Sequence, residues 1–273
     1  MTMMLNYARD INYDADCQED AEILVCDVKM YEKPNLNNPI LIEGLPGIGL
    51  VANIAVAYLI KKLNARLFCE IRSSHFHNAA LTDEAGSLKY PVNQLYYYRA
   101  ESSKEGSDLI FLYGNTQALT QRGQYELCGC ILDIAESLGC KFVITLGGYR
   151  PGRTVTRPKL YFAASDHETA RIAKNLGAEA LKINIFGVAG LLIGMCRLRG
   201  IKGLCLLSET PGDRPDKDAA IEILKALSQI IGVRVDLGDL GDPMSLISVL
   251  SPFDFGALLR VRREERARPE WLV

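Results

Sequence analysis

The sequence predicts an α/β fold with a mainly parallel sheet and helices on both of its faces. A short apolar run, Ile40 to Ile42, precedes a glycine-rich turn and an apolar segment with helical spacing that ends near Lys61. Farther along the chain, apolar strand-like runs alternate with helical patterns at short intervals. This alternation is typical of β-α-β units, in which helices cover both faces of a parallel sheet.

The first of these units contains the most informative turn. Nearly every face of the segment from Leu50 to Lys61 is apolar, which predicts a helix buried against a sheet. The turn before it carries Gly44, Gly47 and Gly49. Their spacing reverses the dinucleotide-binding fingerprint, and the turn lacks the lysine and hydroxyl of a P-loop. Either backbone N–H groups hold an anion at the helix start, or small residues let the helix pack closely on its strand.

The other elements are predicted from the helical or strand-like spacing of apolar residues. Strands are predicted at residues 22–30, 65–71, 92–100, 108–114, 141–146, 159–164 and 203–208, with a short strand or turn at 183–188 and a last short strand or lead-out at 232–237. Helices are predicted at residues 120–138, 166–176, 187–200 and 215–231. We expect residues 1–36 to form an N-terminal segment with the first strand, 37–240 the α/β core domain, and 241–273 a C-terminal extension.

The composition excludes several classes of protein. Of 273 residues, 48% are hydrophobic and 23% charged, as in an ordinary globular protein, and the formal net charge of -2 gives no electrostatic basis for binding nucleic acid. The acidic start is unlike a secretory signal, and no apolar run has membrane-spanning length. The eight cysteines lie mostly in apolar runs without a C-x-x-C pair. We therefore expect a cytoplasmic protein with no membrane partner and no cofactor.

Two histidines form a candidate metal site. His75 and His77 are two residues apart, a spacing that puts both side chains on one face of a strand. No third ligand follows from the spacing, although Asp83 and Glu84 are near in sequence. The alternative is that both histidines are polar side chains of a loop.

A second glycine segment follows the strand predicted at residues 141–146. Gly147 and Gly148 lie just past its carboxyl end, where open α/β sheets bind ligands. Arg150, Arg153 and Arg157 make the segment basic. It is either an anion site or a surface loop that leads into the next strand.

The end of the sequence differs from the rest. Residues 260–270 are dense in both arginine and glutamate, which is typical of an exposed charged helix or a disordered arm. The last three residues are Trp271, Leu272 and Val273. We interpret them either as an apolar docking peptide after a solvated arm or as a segment that folds back onto its own domain.

Four segments in this order resemble the proteasome assembly chaperone family, the archaeal and bacterial relatives of the eukaryotic assembly chaperones. They are residues 39–52, Gly147-Gly148 after a buried strand, residues 185–192, and residues 206–212 with Pro215, Asp216 and the alanines that follow. The resemblance covers about residues 37 to 240 and leaves out both ends of the chain.

The resemblance implies an α/β layout similar to the nucleoside phosphorylases, self-association, and a role in assembling the proteasome core particle. Some family members end in a hydrophobic residue, a tyrosine and a final residue, which insert between subunits of the proteasome α ring. Here Trp271 matches the hydrophobic position, while Leu272 replaces the tyrosine.

Two hypotheses about function follow. The first is a non-catalytic, homo-oligomeric binding protein that docks on proteasome α subunits through its last three residues. The second is an enzyme that binds a small anionic or nucleoside-like ligand in a cleft at the carboxyl ends of the strands. Its candidate polar groups are Glu43, His75, His77, Asn115, Gln117, Arg150 and Glu209. The sequence shows no convincing pair of nucleophile and base, which favours the first.

Overall fold

A nine-stranded sheet forms the centre of the molecule. The computed structural model of the chain describes residues 26–82, 86, 88–100, 106–233 and 236–250. Its strands are β1 (Cys26–Met30), β2 (Ile40–Gly44), β3 (Arg66–Ser73), β4 (Leu81–Thr82), β5 (Leu88–Lys89), β6 (Asn93–Tyr98), β7 (Leu109–Gly114), β8 (Phe142–Tyr149), β9 (Leu160–Ala164), β10 (Glu179–Ala180) and β11 (Lys202–Glu209). Its α-helices are α1 (Val51–Lys62), α2 (Gln121–Ser137), α3 (His167–Asn175), α4 (Val188–Leu198), α5 (Lys217–Ile231) and α6 (Pro243–Leu250).

The sheet has a parallel centre and antiparallel flanks. Its strand order is β1-β3-β6-β7-β2-β8-β11-β9-β10, and β4 and β5 form a separate two-stranded ribbon. The central strands β7, β2, β8 and β11 are mutually parallel. Strands β6, β3 and β1 on one side, and β9 on the other, run antiparallel to their inner neighbours. The prediction of a mainly parallel sheet therefore holds for the centre, and the whole sheet is mixed.

The antiparallel flank has a simple cause. A parallel neighbour requires a crossover connection, which is usually a helix, whereas an antiparallel neighbour does not. The described residues between β3 and β6, and between β6 and β7, contain no helix. Along the chain, β3, β6 and β7 therefore alternate in direction. By contrast, α1 and the whole flank lie between β2 and β7, and α2 lies between β7 and β8.

Alternation along the central strands divides the core into two layers. On β7, Leu109, Phe111 and Tyr113 face one hydrophobic cluster, while Ile110 and Leu112 face the other. The first cluster lies under α1, α3, α5 and α6, and the second under α2 and α4. Helices thus cover both faces of the sheet, as the sequence predicts. Among the described residues, no helix is both long enough and apolar enough to span a membrane.

Helix α1 is the most deeply buried helix of the described chain. Every residue from Val51 to Ile60 is buried, which agrees with the apolar pattern on all its faces. Asn53 is the polar exception, and its Nδ2 donates to the carbonyl oxygens of Gly44 at 2.8 Å and Gly114 at 3.1 Å. These bonds fix the start of α1 to the carboxyl ends of β2 and β7.

The helix ends follow local capping chemistry. Thr120, Asp166 and Asp216 each accept a hydrogen bond at the start of α2, α3 and α5 from the backbone N–H three residues later. Gly139 adopts a φ of 81° just after α2, the left-handed conformation expected of a glycine at a helix end. The predicted helix 215–231 begins at Lys217 because Asp216 caps it.

Both ends of the described chain pack onto this sheet. β1 pairs with β3 along its whole length, and Leu246 and Ile247 of α6 are buried in the cluster that contains α1. The segment predicted at 183–188 as a short strand or turn is irregular up to Gly187, and Val188 begins α4.

Gly44 lies where α1 crosses the end of β2, so a substitution there tests how closely the helix packs on the strand. A Cβ atom on Gly44 would lie 2.4 Å from Cβ of Val56 and 2.9 Å from the carbonyl oxygen of Ala52. We expect Gly44→Ala to lower the free energy of unfolding by about 1 to 3 kcal/mol, because neither neighbour can move without shifting the helix. Urea denaturation measures the change.

The matched control is Gly47→Ala in the same turn. A Cβ there meets nothing within 4 Å, and the backbone of Gly47 is extended, with a φ of -151°. Its free energy of unfolding should stay within about 0.5 kcal/mol of the wild type. Equal losses in the two variants would show that close packing at Gly44 is unimportant.

Candidate functional site

The turn between β2 and α1 has a left-handed backbone. A 3₁₀ turn spans Ile48–Leu50, and Gly49 and Leu50 both have positive φ, 63° and 50°. Glycine adopts such a φ without strain, whereas a leucine there is uncommon and needs support from its surroundings. Leu50 is buried in the cluster under α1, which provides that support.

Three of the family-like segments meet at this turn. A Cβ on Gly148 would lie 2.2 Å from the carbonyl oxygen of Ile48, so β8 approaches the turn as closely as a backbone can. A Cβ on Gly49 would lie 2.8 Å from Oγ1 of Thr210. The N–H of Asp216 donates to the carbonyl of Gly49 at 2.9 Å, and Thr210 Oγ1 donates to Asp216 Oδ2 at 2.6 Å. The glycines let β8, the segment after β11 and the start of α5 converge.

Gln117 ties the fourth segment to the same turn. Its Nε2 donates to the carbonyl oxygen of Pro46 at 2.7 Å, and its Oε1 accepts from the N–H of Val188 at 3.1 Å. Gly187, with a φ of 85°, leaves room for this amide, since a Cβ would lie 2.9 Å from Oε1. One side chain therefore connects the loop after β7 with the glycine turn and the start of α4.

These contacts enclose a cleft of about 610 Å³ at the carboxyl ends of β2, β8 and β11. Its walls include Glu43, Leu45, Gly47, Ile48, Gln117, Gln124, Leu146, Gly147, Gly148, Tyr149, Ile183, Asn184, Ile185, Phe186, Gly187, Ala189 and Leu207. Three of these form an exposed apolar rim: Phe186, Ile183 and Ile48, with 85%, 51% and 46% of their surfaces exposed. The cleft lies where open α/β sheets bind ligands.

Glu43 is the buried carboxyl group in this cleft. Only 1% of its surface is exposed. Its Oε1 accepts a hydrogen bond from the N–H of Leu45 at 2.8 Å, whereas Oε2 has no partner among the described residues. Burial raises the pKa of Glu43 to about 8, because a charged carboxylate loses its hydration there, and the backbone N–H groups of Leu45 and Leu146 offset this only in part. Glu43 is therefore mainly protonated at neutral pH.

Comparison with known proteins shows the family of the chain. The model of the PAC2 family matches residues 41–246. The chain belongs to the PAC2 family. An uncharacterised protein of Methanocaldococcus jannaschii is 34% identical over 210 residues, which cover 75% of this chain and 78% of that protein. The resemblance drawn from the four motif segments is thereby confirmed, and all four lie within the matched range except residues 39 and 40 of the first.

Two solved structures are similar to this chain in fold and sequence. PbaB of Pyrococcus furiosus, an archaeal proteasome activator, has a TM-score of 0.73 and 33% identity, over 79% of this chain and 92% of its own. PbaA of the same organism, an archaeal homologue of proteasome-assembly chaperones, has a TM-score of 0.67 and 26% identity, over 89% and 100%. The chain is thus similar in sequence and fold to proteasome-related proteins.

The two arginines predicted to bind an anion lie outside the walls of the cleft in this PAC2 chain. Arg150 Nε donates to the carbonyl oxygen of Pro211 at 2.8 Å. Arg153 pairs at 2.6 Å with Oε1 of Glu209, which is fully buried and also accepts from the hydroxyl of Tyr161 at 2.9 Å. Gly47, Gly147 and Gly148 line the cleft, whereas the guanidinium groups of both arginines bind other residues outside it.

The metal hypothesis placed both histidines on one face of a strand, but neither of them lies on a strand. His75 lies in the turn after β3, and His77 follows in an irregular segment. His75 Nδ1 is 3.0 Å from Thr120 Oγ1, and its Nε2 is 2.9 Å from Glu126 Oε2, so the ring binds the start of α2. Within the described ranges, no group of three or more histidine, cysteine or acidic side chains is placed to hold a metal ion.

The predicted site residues that remain are Asn115 and the last three residues of the chain. Asn115 holds the segment before β6, since its Oδ1 accepts from the N–H of Val92 at 2.9 Å and its Nδ2 donates to the carbonyl oxygen of Tyr90 at 3.0 Å. Trp271, Leu272 and Val273 lie outside the described residues, so their docking role stays a prediction.

The apolar rim is not evident from the sequence, because Ile183 and Phe186 lie in a short apolar stretch that also fits a buried strand. The role of Asn53 in positioning the turn has one signal in the sequence, a single polar residue in an otherwise apolar helix.

The pKa of Glu43 predicts a pH effect on stability. Its ordinary value is 4.5, and its value in the folded protein is about 8. Between these values the folded state holds a proton that the unfolded state releases, so the free energy of unfolding falls as pH rises through this window. One group contributes at most about 1.4 kcal/mol per pH unit. We expect Glu43→Gln to remove this contribution, as measured by urea denaturation across the window.

Glu70→Gln on β3 is the control. Burial acts to raise the pKa of Glu70, but hydrogen bonds from Gln94, Tyr31 and Arg72 lower it overall. Its contribution is therefore constant above pH 4.5 and is lost only in more acidic solution. The Glu70 variant should keep the wild-type slope between pH 4.5 and 8, and an unchanged slope in the Glu43 variant would show that Glu43 does not titrate there.

Proposed function

We propose that this chain is a non-catalytic, oligomeric binding protein that acts on the proteasome as an assembly factor or activator. Membership of the PAC2 family carries the proposal, together with 33% identity to a proteasome activator and 26% identity to a homologue of proteasome-assembly chaperones. The fold by itself would not support a function, because one fold hosts many functions. Here the similarity extends to sequence over more than three quarters of the chain.

The docking element of this proposal is the last three residues, Trp271, Leu272 and Val273. The described chain ends at Leu250 in α6, and residues 251–273 follow it. A chain of that length spans at most roughly 75 to 85 Å when extended, which is far enough to reach a partner well beyond the sheet. Apolar residues after a densely charged stretch suit insertion into an apolar pocket on a protein ring.

A pull-down with purified proteasome α-ring subunits tests this docking. We compare the full chain with a version that ends at Glu270. The full chain should bind, and the shortened version should lose most of the binding while it keeps its thermal unfolding temperature, because residues 271–273 lie beyond the family match to residues 41–246.

Substitution at Leu272 gives a matched pair of variants. Leu272→Tyr restores the residue that the family resemblance places there and should bind at least as tightly as the wild type. Leu272→Asp places a charge at an apolar contact and should bind more weakly. Equal binding by the full and shortened chains would remove the docking role from the tail, and binding by neither would contradict the proteasome function.

We also propose that the chain associates with itself. Among the described strands, β1 at the sheet edge has a neighbour on one side only, and its Val28 and Met30 are exposed. Open edges and exposed apolar side chains are common at protein interfaces. Phe186 on the apolar rim and Leu198 on α4 add exposed apolar surface elsewhere.

Light scattering coupled to gel filtration measures the mass in solution. A chain of 30.2 kDa that self-associates should give a multiple of this mass at micromolar concentration. A mass of 30.2 kDa at every concentration tested would contradict the oligomeric part of the proposal and leave the docking experiment unaffected.

A further inference from the structure

The cleft beside the glycine turn has no cationic wall. None of the described residues that line it is a lysine, arginine or histidine. Leu45, Leu146 and Leu207 supply apolar surface inside it, and Tyr149 adds an aromatic ring. An anion entering such a cleft would lose its hydration without gaining an opposite charge, which is unfavourable. The cleft therefore suits a neutral molecule.

The polar side chains of the cleft differ in their free hydrogen-bonding capacity. Gln117 uses both ends of its amide, and Gln124 Nε2 donates to the carbonyl oxygen of Ala118 at 3.2 Å. Glu43 is almost fully buried, and its Oε2 makes no hydrogen bond of normal geometry with any described residue, although the backbone N–H of Leu146 is near enough to the carboxyl group to lower its pKa. A buried polar atom without a partner costs free energy, so its presence at the cleft points to a group that binds it.

The surroundings of Glu43 keep its carboxyl group neutral. The ionisable side chains that interact with it are the thiols of Cys128 on α2 and Cys205 on β11, whose pKa values are raised first by burial and further by Glu43. The facing residues of β8 and α4 are Thr145, which pairs with Glu43 across the sheet, and Ala189, whose carbonyl accepts from Thr145 at 2.9 Å. Neither of them ionises, so a protonated Glu43 is available as a hydrogen-bond donor.

We propose that this cleft binds a small neutral molecule with an apolar body and an amide-type carbonyl group, and that the carboxyl group of Glu43 donates a hydrogen bond to that carbonyl. Oε2 is covered in the present conformation, so the carboxyl group rotates toward the cleft when the ligand enters. Rotation about the last torsion of a glutamate is broad and has little cost. The proposal is independent of the tail and of docking on the proteasome.

Benzamide is a suitable probe, with benzoate and inorganic phosphate as its anionic counterparts. Ligand-observed NMR titration of the full chain measures a dissociation constant for each. Benzamide should bind saturably at millimolar concentration, and benzoate and phosphate should bind more weakly. Benzamide affinity should fall as pH rises through about 8, since the ionised carboxylate of Glu43 no longer donates.

Variants of Glu43 assign the effect to this residue. Glu43→Gln keeps a neutral donor, so it should bind benzamide within about twofold of the wild type and lose the pH dependence. Glu43→Leu removes the donor and should bind about five- to tenfold more weakly, as expected for one neutral hydrogen bond. Glu70→Gln, far from the cleft, should keep both the affinity and its fall above pH 8.

Three outcomes would overturn the proposal. The first is the absence of saturable benzamide binding. The second is binding of benzoate or phosphate at least as tight as that of benzamide, which would restore an anion as the ligand. The third is wild-type affinity and pH dependence in the Glu43 variants. If Glu43→Leu does not fold, the pH profile of Glu43→Gln alone decides the role of Glu43.

Discussion

The close approach of backbone segments at Gly44, Gly49 and Gly148 is the constraint on which the rest of the structure depends. At each position a Cβ atom would lie less than 3 Å from a neighbouring atom, namely Cβ of Val56, Oγ1 of Thr210 and the carbonyl oxygen of Ile48. Because these contacts are made without side chains, α1 can lie directly on the end of β2, and β8 can pass beneath the turn. Loss of this approach would separate the most buried helix from the parallel centre of the sheet.

The same constraint explains why the segments that indicate the family lie together. The glycine turn, Gly148, Gly187 at the start of α4, and Thr210 with Asp216 are far apart in sequence but form one set of contacts. Gln117 completes the set by bonding Pro46 and Val188. The four family segments of this PAC2 chain therefore serve first to pack strand ends against helix starts. The cleft lies beside that packing, and Gly47, where a Cβ would meet nothing within 4 Å, adds no side chain to it.

Charge in the structure is arranged differently from what the local sequence suggests. Arginines next to two glycines resemble an anion site, but Arg153 pairs with the buried carboxylate of Glu209 and thereby fixes the segment between β8 and β9. Glu43, by contrast, precedes a glycine-rich turn, yet its own carboxyl group is buried and pairs with no cation among the described residues. The polar side chains of the cleft are thus one neutral acid and several amides, and none of its described lining residues is basic.

The sequence by itself determined most of the longer strands and helices, the burial of α1 and the family, but not the short strands β4, β5 and β10 or the helix α6. The features that it determined depend on the spacing of apolar residues and on glycine positions, both of which are local. The tertiary structure alone decided that β3, β6 and β9 run antiparallel to their inner neighbours, that His75 binds the start of α2, and that the guanidinium groups of Arg150 and Arg153 are engaged outside the cleft. It also decided that Glu43 retains an unpartnered oxygen beside an apolar rim. Each of these depends on which distant residue becomes a neighbour, and that is set by the pairing of strands and the packing of helices over the whole sheet.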